Sequence, residues 1–202
     1  MMGRFTAVTF GTPVSFETEL TRLRSGDLEA LTALVERYQN RLYRYLLRLV
    51  KQPSVAEDLF QQTWLRVMER ISNYDPERNF EAWLFSVAHN LTIDHLRRYR
   101  PESLDEPLPS GHTREELLPG TDPSALEKLL VGERKTWIAD AITELPVVYR
   151  EVVTLRFEEE MKLEEIATVL AVPLSTVKSR LHRGLKGLRR LLEKKSEIGA
   201  QL

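Results

Sequence analysis

The chain contains no cysteine. Disulfide scaffolds, thiolate metal sites and cysteine nucleophiles are therefore excluded. It also lacks any apolar run near the ~20 residues that a spanning helix needs. Its first residues, MMGRFTAVTF, have neither the apolar stretch nor the small-residue cleavage site of a secretory leader. These absences predict a cytoplasmic protein with no membrane insertion. There is no glycine-rich phosphate loop, no GxSxG, no HExxH and no pattern of paired carboxylates better than chance. Nothing therefore points to an enzyme. His89, His95 and His182 have no partners at zinc spacing, so neither a metal nor another cofactor is expected.

What is present is helical material and charge. The 202 residues are 42% hydrophobic and 29% charged, enough for one large domain or two small ones. The net charge of −1 hides a strong asymmetry. Between Glu102 and Glu133 there are 8 acidic and 2 basic side chains, and between Lys178 and Lys195 there are 8 basic and 1 acidic. Exposed charges are screened over ~8–10 Å at physiological salt. A local basic patch can therefore bind a polyanion although the whole chain is nearly neutral.

The N-terminal block has helical period. Leu31, Leu34, Val35, Tyr38, Leu42, Tyr45, Leu46 and Leu49 mark one face of a long helix, with Arg37, Arg41, Arg44 and Arg48 on other faces. After Gln52-Pro53, the run Ser54-Val55-Ala56-Glu57 reads as a capping box. It would open a second helix whose inner face is Val55, Leu59, Trp64, Val67, Met68 and Ile71. Turn chemistry at Ser72–Pro76 precedes a third helix from about Asn79 to Tyr99, which is ended by Pro101. Trp64, Trp83 and Trp137 sit on apolar faces and read as core.

Residues 101–124 are acidic and rich in proline, which predicts a flexible linker. Helical period then resumes through Leu126, Leu129, Leu130, Trp137, Ile138, Ala141, Ile142 and Leu145, with Pro146 suited to the first turn of the following helix. The expected fold class is all-α: two small helical domains joined by a flexible linker. The spans are a tail 1–19, a first domain 20–100, the linker 101–124, a second domain 125–195 and a tail 196–202.

The last two helices, Leu163–Leu170 and Ser175–Leu192, are joined by Ala171-Val172-Pro173-Leu174. Helix, short turn, helix is a DNA-binding unit. Ile166, Ala167 and Leu170 can pack on Val177 and Leu181, and Ser175 can cap the second helix. At 100° per residue, positions 177, 181, 184, 185, 188, 191 and 192 form one apolar arc. Lys178, Ser179, His182, Arg183, Lys186, Arg189 and Arg190 fill the opposite arc. The first two turns suit base edges in a ~12 Å major groove. Arg189, Arg190, Lys194 and Lys195 suit phosphates, which position without specifying.

In order, the motifs resemble those of bacterial extracytoplasmic-function sigma factors over about residues 20–192. The carriers are Ala56-Glu57-Asp58-Leu59-Phe60-Gln61-Gln62, Phe80-Glu81-Ala82-Trp83-Leu84, Ala88-His89-Asn90 and Asp94-His95-Leu96-Arg97-Arg98. Leu145–Val152, Glu164-Glu165-Ile166-Ala167 and Ser175–Arg183 extend the likeness. The chain departs from the family pattern at Glu158-Glu159-Glu160, where a glycine-containing turn is usual.

The resemblance implies a factor that makes no bonds itself, binds core RNA polymerase and directs it to promoters. Asp58, Gln61, Gln62 and Arg66 would grip the clamp helices of the largest subunit, with the flap as a second contact. The first domain would read and melt the −10 element through Tyr74, Asp75, Arg78, Asn79, Phe85, His89 and Asn90, with Arg97 and Arg98 on phosphates. The C-terminal helix would read the −35 duplex through Ser175, Thr176, Lys178, Ser179, Arg180, His182, Arg183 and Lys186. The acidic linker would follow polymerase channels that otherwise carry nucleic acid. An anti-sigma partner and a stress trigger are further expectations. Without the family, Tyr74 and Phe85 read equally well as core. The competing reading is a two-domain regulator that binds its operator without polymerase.

Overall fold

A computed structural model describes residues 16–99 and 134–199; the linker 101–124, and Leu126, Leu129 and Leu130 beyond it, lie outside the described residues, as does the side chain of Trp137. Among the described residues every regular element is helical: α1 Phe16–Arg24, α2 Leu28–Val50, α3 Pro53–Arg70, a 3-10 turn Ile71–Asn73, and α4 Phe80–Tyr99. After the linker come α5 Arg134–Glu144, α6 Val147–Phe157, α7 Leu163–Leu170 and α8 Leu174–Gly199.

Helix α1 reaches into the span expected to be a tail. It is tied down because Asp27 serves two elements at once. Its carboxylate caps α2 by accepting from Glu29 N at 2.9 Å and Ala30 N at 3.4 Å, and it accepts from Arg22 Nε of α1 at 2.8 Å. The Arg22 partner holds the Asp27 carboxyl below its ordinary range. The long apolar face of α2 buries Leu34, Leu42, Tyr45 and Leu46, as its periodicity predicts.

Three local expectations are corrected. Helix α3 starts at Pro53 with Gln52 as its extended N-cap. Proline fits the first helical position because its missing N–H would be unpaired there anyway. Ser54 therefore lies inside the first turn and forms no capping box. In the same way α8 starts at Leu174, where Thr176 N and Val177 N donate to Pro173 O, so Ser175 is inside the helix and does not cap it. Met68 is 42% exposed and Leu65, three residues earlier, is 60% exposed. Trp64, Val67 and Ile71 already close the inner face, which leaves those two side chains on the outer flank.

Helix α4 is buried on more than one face. It packs on α2 and α3, and it also packs on α7 from the C-terminal half. One apolar core consequently runs from Tyr38, Leu84 and Phe85 through to Leu155, Ile166 and Val177. A smaller core within the C-terminal half joins Ile138, Ala141, Ile142, Leu145, Val153 and Leu188. Gly184 of α8 belongs to this seam. A Cβ there would stand 2.9 Å from Val153 Cγ2 and 3.4 Å from Tyr149 O. Gly184→Ala is expected to lower unfolding stability by about 1–3 kcal/mol through overpacking, measurable by denaturant titration. An unchanged midpoint would mean that α8 can move away from α6 at little cost.

Candidate nucleic-acid interface

The second helix of the helix-turn-helix presents the stripe that its sequence pattern predicts. Ala171 ends α7 in the left-handed region, φ 51°, and its N–H and that of Val172 return to the last turn of the helix. The chain then re-enters a helix at Leu174. Val177, Gly184 and Leu188 are buried, whereas Lys178, Ser179, His182, Arg183, Lys186, Arg189 and Arg190 are exposed. Ser175 is also exposed, and Thr176 and Arg180 are half-buried at the edge. The apolar arc anchors the helix, so the basic arc is held outward at fixed spacing. Rigid presentation of this kind is what readout of base edges requires.

The residues expected at the −10 element divide into two groups. Asp75, Arg78, Asn79, Asn90, Arg97 and Arg98 are exposed. Tyr74 and Phe85 are not available to a base. Tyr74 is packed against Phe80 and Trp83 at ring separations of 5.6 and 4.9 Å, and its hydroxyl donates to Arg78 O. Phe85 is fully buried, with its ring edge-on to Tyr45 at 5.1 Å. For Phe85 the physical reason is a second buried face of α4, which a one-face helical pattern does not predict; Tyr74 precedes α4 and is buried on its Phe80 and Trp83.

Two of the expected −10 residues are engaged by the C-terminal half. Asn79 caps α4 by accepting from Ala82 N at 3.1 Å, and its amide Nδ2 donates to Glu165 Oε1 of α7 at 2.8 Å. His89 Nδ1 lies 2.7 Å from Glu151 Oε1 of α6, and the Tyr45 hydroxyl donates to the same oxygen at 2.6 Å. Burial first, then Glu151, holds the Tyr45 hydroxyl well above its ordinary range. Glu151 was missed by the sequence reading. Its position between Val147 and Leu155, each four residues away, would have placed it on a buried face.

A second group of long-range contacts joins α2 to the turn after α6. Arg41 forms a double hydrogen bond with Glu81, at 2.9 and 2.6 Å, and its Nε donates to Glu159 Oε2 at 2.8 Å. Arg44 Nη2 reaches Glu159 Oε1 at 3.3 Å. Arg48 Nη2 lies 2.9 Å from Glu158 Oε1, and its Nη1 donates to Ala139 O of α5 at 3.1 Å. Burial pushes the Glu159 carboxyl above its ordinary range, and Arg41 and Arg44 oppose that rise. Glu160 closes the turn at φ 57°, a conformation that costs a non-glycine residue about 1–2 kcal/mol.

On α3, Asp58, Gln61 and Gln62 are exposed, and half-buried Arg66 pairs with Glu69 at 3.3 Å. Gln62, Leu65, Arg66, Glu69 and Leu91 line a shallow cavity beside them. Among the described residues no cluster of His, Asp and Glu could hold a metal, and no helix is long and apolar enough to cross a membrane.

Comparison with known proteins bears on most of the chain. Residues 34–102 match the family Sigma-70 region 2, and residues 135–188 match Sigma-70, region 4. The chain is 31% identical over 176 residues to the ECF RNA polymerase sigma factor SigW of Bacillus subtilis, covering 86% of this chain and 94% of that one. It is 36% identical over 180 residues to the ECF RNA polymerase sigma factor SigE of Mycolicibacterium smegmatis, covering 88% and 68%. Among solved structures, CnrH in complex with the cytosolic domain of CnrY has a similar fold, with a TM-score of 0.63, 24% identity and coverage of 88% and 97%. The sigma factor RpoE of Bartonella quintana, solved with the anti-sigma factor NepR, gives a TM-score of 0.58 at 21% identity, covering 80% and 96%. With its two helical regions in the family order and its likeness running along most of its length, the chain belongs to the extracytoplasmic-function RNA polymerase sigma factors, which direct transcription initiation.

Proposed function

We propose that the two halves divide promoter recognition between them. The C-terminal helix α8 reads the −35 duplex with Lys178, Ser179, His182 and Arg183 on base edges and with Lys186, Arg189 and Arg190 on phosphates. Ser175, Thr176 and Arg180 border the same contact. The N-terminal half, residues 20–100, takes the −10 strand along Asp75, Arg78, Asn79, His89 and Asn90, while Arg97 and Arg98 hold its backbone. Asp58, Gln61, Gln62 and Arg66 dock on core polymerase. The chain makes no bonds itself and works in the cytoplasm with the polymerase. An anti-sigma partner that silences it belongs to the same reading, as does a linker over 101–124 that spans the distance between the halves on the enzyme.

The observation that carries this reading is the outward basic arc of α8 over its buried seam of Val177, Gly184 and Leu188. Purified chain mixed with core polymerase is expected to start transcription at discrete promoters. Tight, specific DNA binding with no need for polymerase would instead favour a stand-alone regulator. Within the reconstituted system, Arg183→Ala is expected to relax base choice at one −35 position, at a cost of about 1–3 kcal/mol. An equal loss on every promoter sequence would move Arg183 to the phosphates.

A further inference from the structure

The last turn of α4 carries an exposed ring in a cationic setting. Among the described side chains, Tyr99 is the one Phe, Tyr or Trp ring left exposed, at 66%. One turn earlier lies half-buried His95, whose ring meets that of Tyr99 with centroids 4.8 Å apart and planes tilted by 36°. His95 therefore braces one face of the Tyr99 ring and leaves the other to solvent. Arg97 and Arg98 are exposed beside it, as is Asp94, and among the described residues none of the three forms an ion pair. Along the chain Tyr99 is bracketed by cations, as Arg97-Arg98-Tyr99-Arg100. The helix dipole accounts for cations in a last turn. It does not account for a braced aromatic ring held in water, where its apolar face gains nothing.

Cations that track a phosphate backbone, together with an aromatic face on which a base stacks, are how proteins hold single strands. The placement fits such a strand. At 100° per residue, Arg97 lies about 20° from Asn90 around the axis of α4, Arg98 about 80° and Tyr99 about 180°. These side chains wind from the Asn90 side round the C-terminal end of the helix. A strand followed from Asn90 over Arg97 and Arg98 arrives at Tyr99, ~14 Å further along the axis, or about four stacked nucleotides. We propose that Tyr99 is a stacking site for one unpaired nucleobase: His95 holds the ring, Arg97 and Arg98 hold the neighbouring phosphates, and the outer face of the ring takes a base at the end of the melted strand. The stacking site rests on the last turn of α4 alone; its place at a promoter rests on the proposed assignment of Asn90, Arg97 and Arg98 to the −10 strand. Every base has a π-face, so the site supplies affinity and not sequence choice. It also replaces, for that base, the stacking lost when the duplex opens.

Tyr99 and both arginines are exposed in the free chain, so the full chain is tested as it stands. The probe is a fluorescent DNA single strand of about 12 nucleotides, within the usual site sizes, with iododeoxyuridine placed at each position in turn. Irradiation is expected to cross-link one position to Tyr99, identified by mass spectrometry. Tyr99→Ala is expected to weaken binding about tenfold and Tyr99→Trp to keep it. Tyr99→Leu should fall with the alanine variant, because leucine restores apolar area but no π-face. His95→Ala should lose less, and His95→Phe should recover that loss. Arg98→Ala should weaken binding and reduce the salt slope by about 0.7. The decisive measurement is a cycle: an abasic nucleotide at the cross-linked position should weaken wild-type binding as much as Tyr99→Ala does, and should cost that variant nothing more.

No wild-type binding at low salt, no cross-link to Tyr99, or additive losses in the cycle overturns the stacking site. Leucine that binds as well as tyrosine overturns it too, by reducing the contact to apolar burial. Core polymerase is the other occupant to test, through its affinity for the same variants. A Tyr99→Ala chain that loses polymerase affinity and keeps its DNA binding makes the ring a protein contact and refutes the proposal. Failure of wild-type chain to initiate with core polymerase would sink the promoter reading and leave the cross-link and the cycle standing.

Discussion

Phe85→Ala is expected to destabilise the protein by about 3–5 kcal/mol, the usual cost of emptying a buried phenylalanine site. The ring is fully buried, edge-on to Tyr45 at 5.1 Å, and the Arg41 guanidinium lies over it at 5.9 Å from its centroid. Truncation would therefore remove a large apolar contact at the point where the core meets the Arg41–Glu81 pair. Tyr45 could collapse only partly into the gap, because its hydroxyl is held by Glu151 at 2.6 Å. Urea titration followed by circular dichroism measures the loss. Phe85→Leu serves as the companion variant. It conserves most of the volume and is expected to cost less than about 1.5 kcal/mol. If Phe85 is core alone, the leucine variant should melt promoters normally with core polymerase. A folded leucine variant that binds polymerase but fails to open the −10 region would return Phe85 to the base-reading role that its place in the sequence suggests.

Arg150→Ala is expected to cost a similar amount, about 3–5 kcal/mol, because it strips the donors from three backbone carbonyls, each worth about 1–3 kcal/mol when left buried and unpaired. Arg150 of α6 is 5% exposed. Its Nε and Nη2 donate to Leu145 O at 3.1 and 2.7 Å, and its Nη1 donates to Arg48 O and Leu49 O, both at 3.0 Å. Arg48 and Leu49 lie in the last turn of α2, where carbonyls have no partner within the helix. The guanidinium also sits at the negative end of that helix dipole. Alanine would leave those carbonyls buried without donors. Arg150→Lys should recover only part of the loss, since a single ammonium cannot serve Leu145 and the α2 terminus with the same planar fork. A cost below about 1 kcal/mol for the alanine variant would mean that water enters and replaces the guanidinium.

These two residues show where sequence reading ends. The helices themselves were legible because their cause is local. Apolar residues three and four positions apart define the inner faces of α2, α3, α6 and α8, and the same spacing sorts Lys178, His182, Arg183 and Lys186 to the outside of α8. The helix-turn-helix and the order of the two halves followed from the same patterns. Helix starts were less legible. Ser54 and Ser175 both look like caps, yet Pro53 and Pro173 set the helix entries, because a proline ring decides the backbone where a serine hydroxyl only assists it.

By itself, then, the sequence determined an all-α chain of two helical halves with a basic reading helix at the end, since a period of 3.6 residues is a property of neighbouring positions. Only the tertiary structure decided that the halves share one core, that Phe85 and Tyr74 lie inside it, and that Glu151, Glu158 and Glu159 meet Tyr45, Arg48 and Arg41. Those partners stand more than 100 residues apart along the chain. No local period encodes such a pairing; it follows from burying a second face of α4, which obliges the polar groups around that face to find partners away from water.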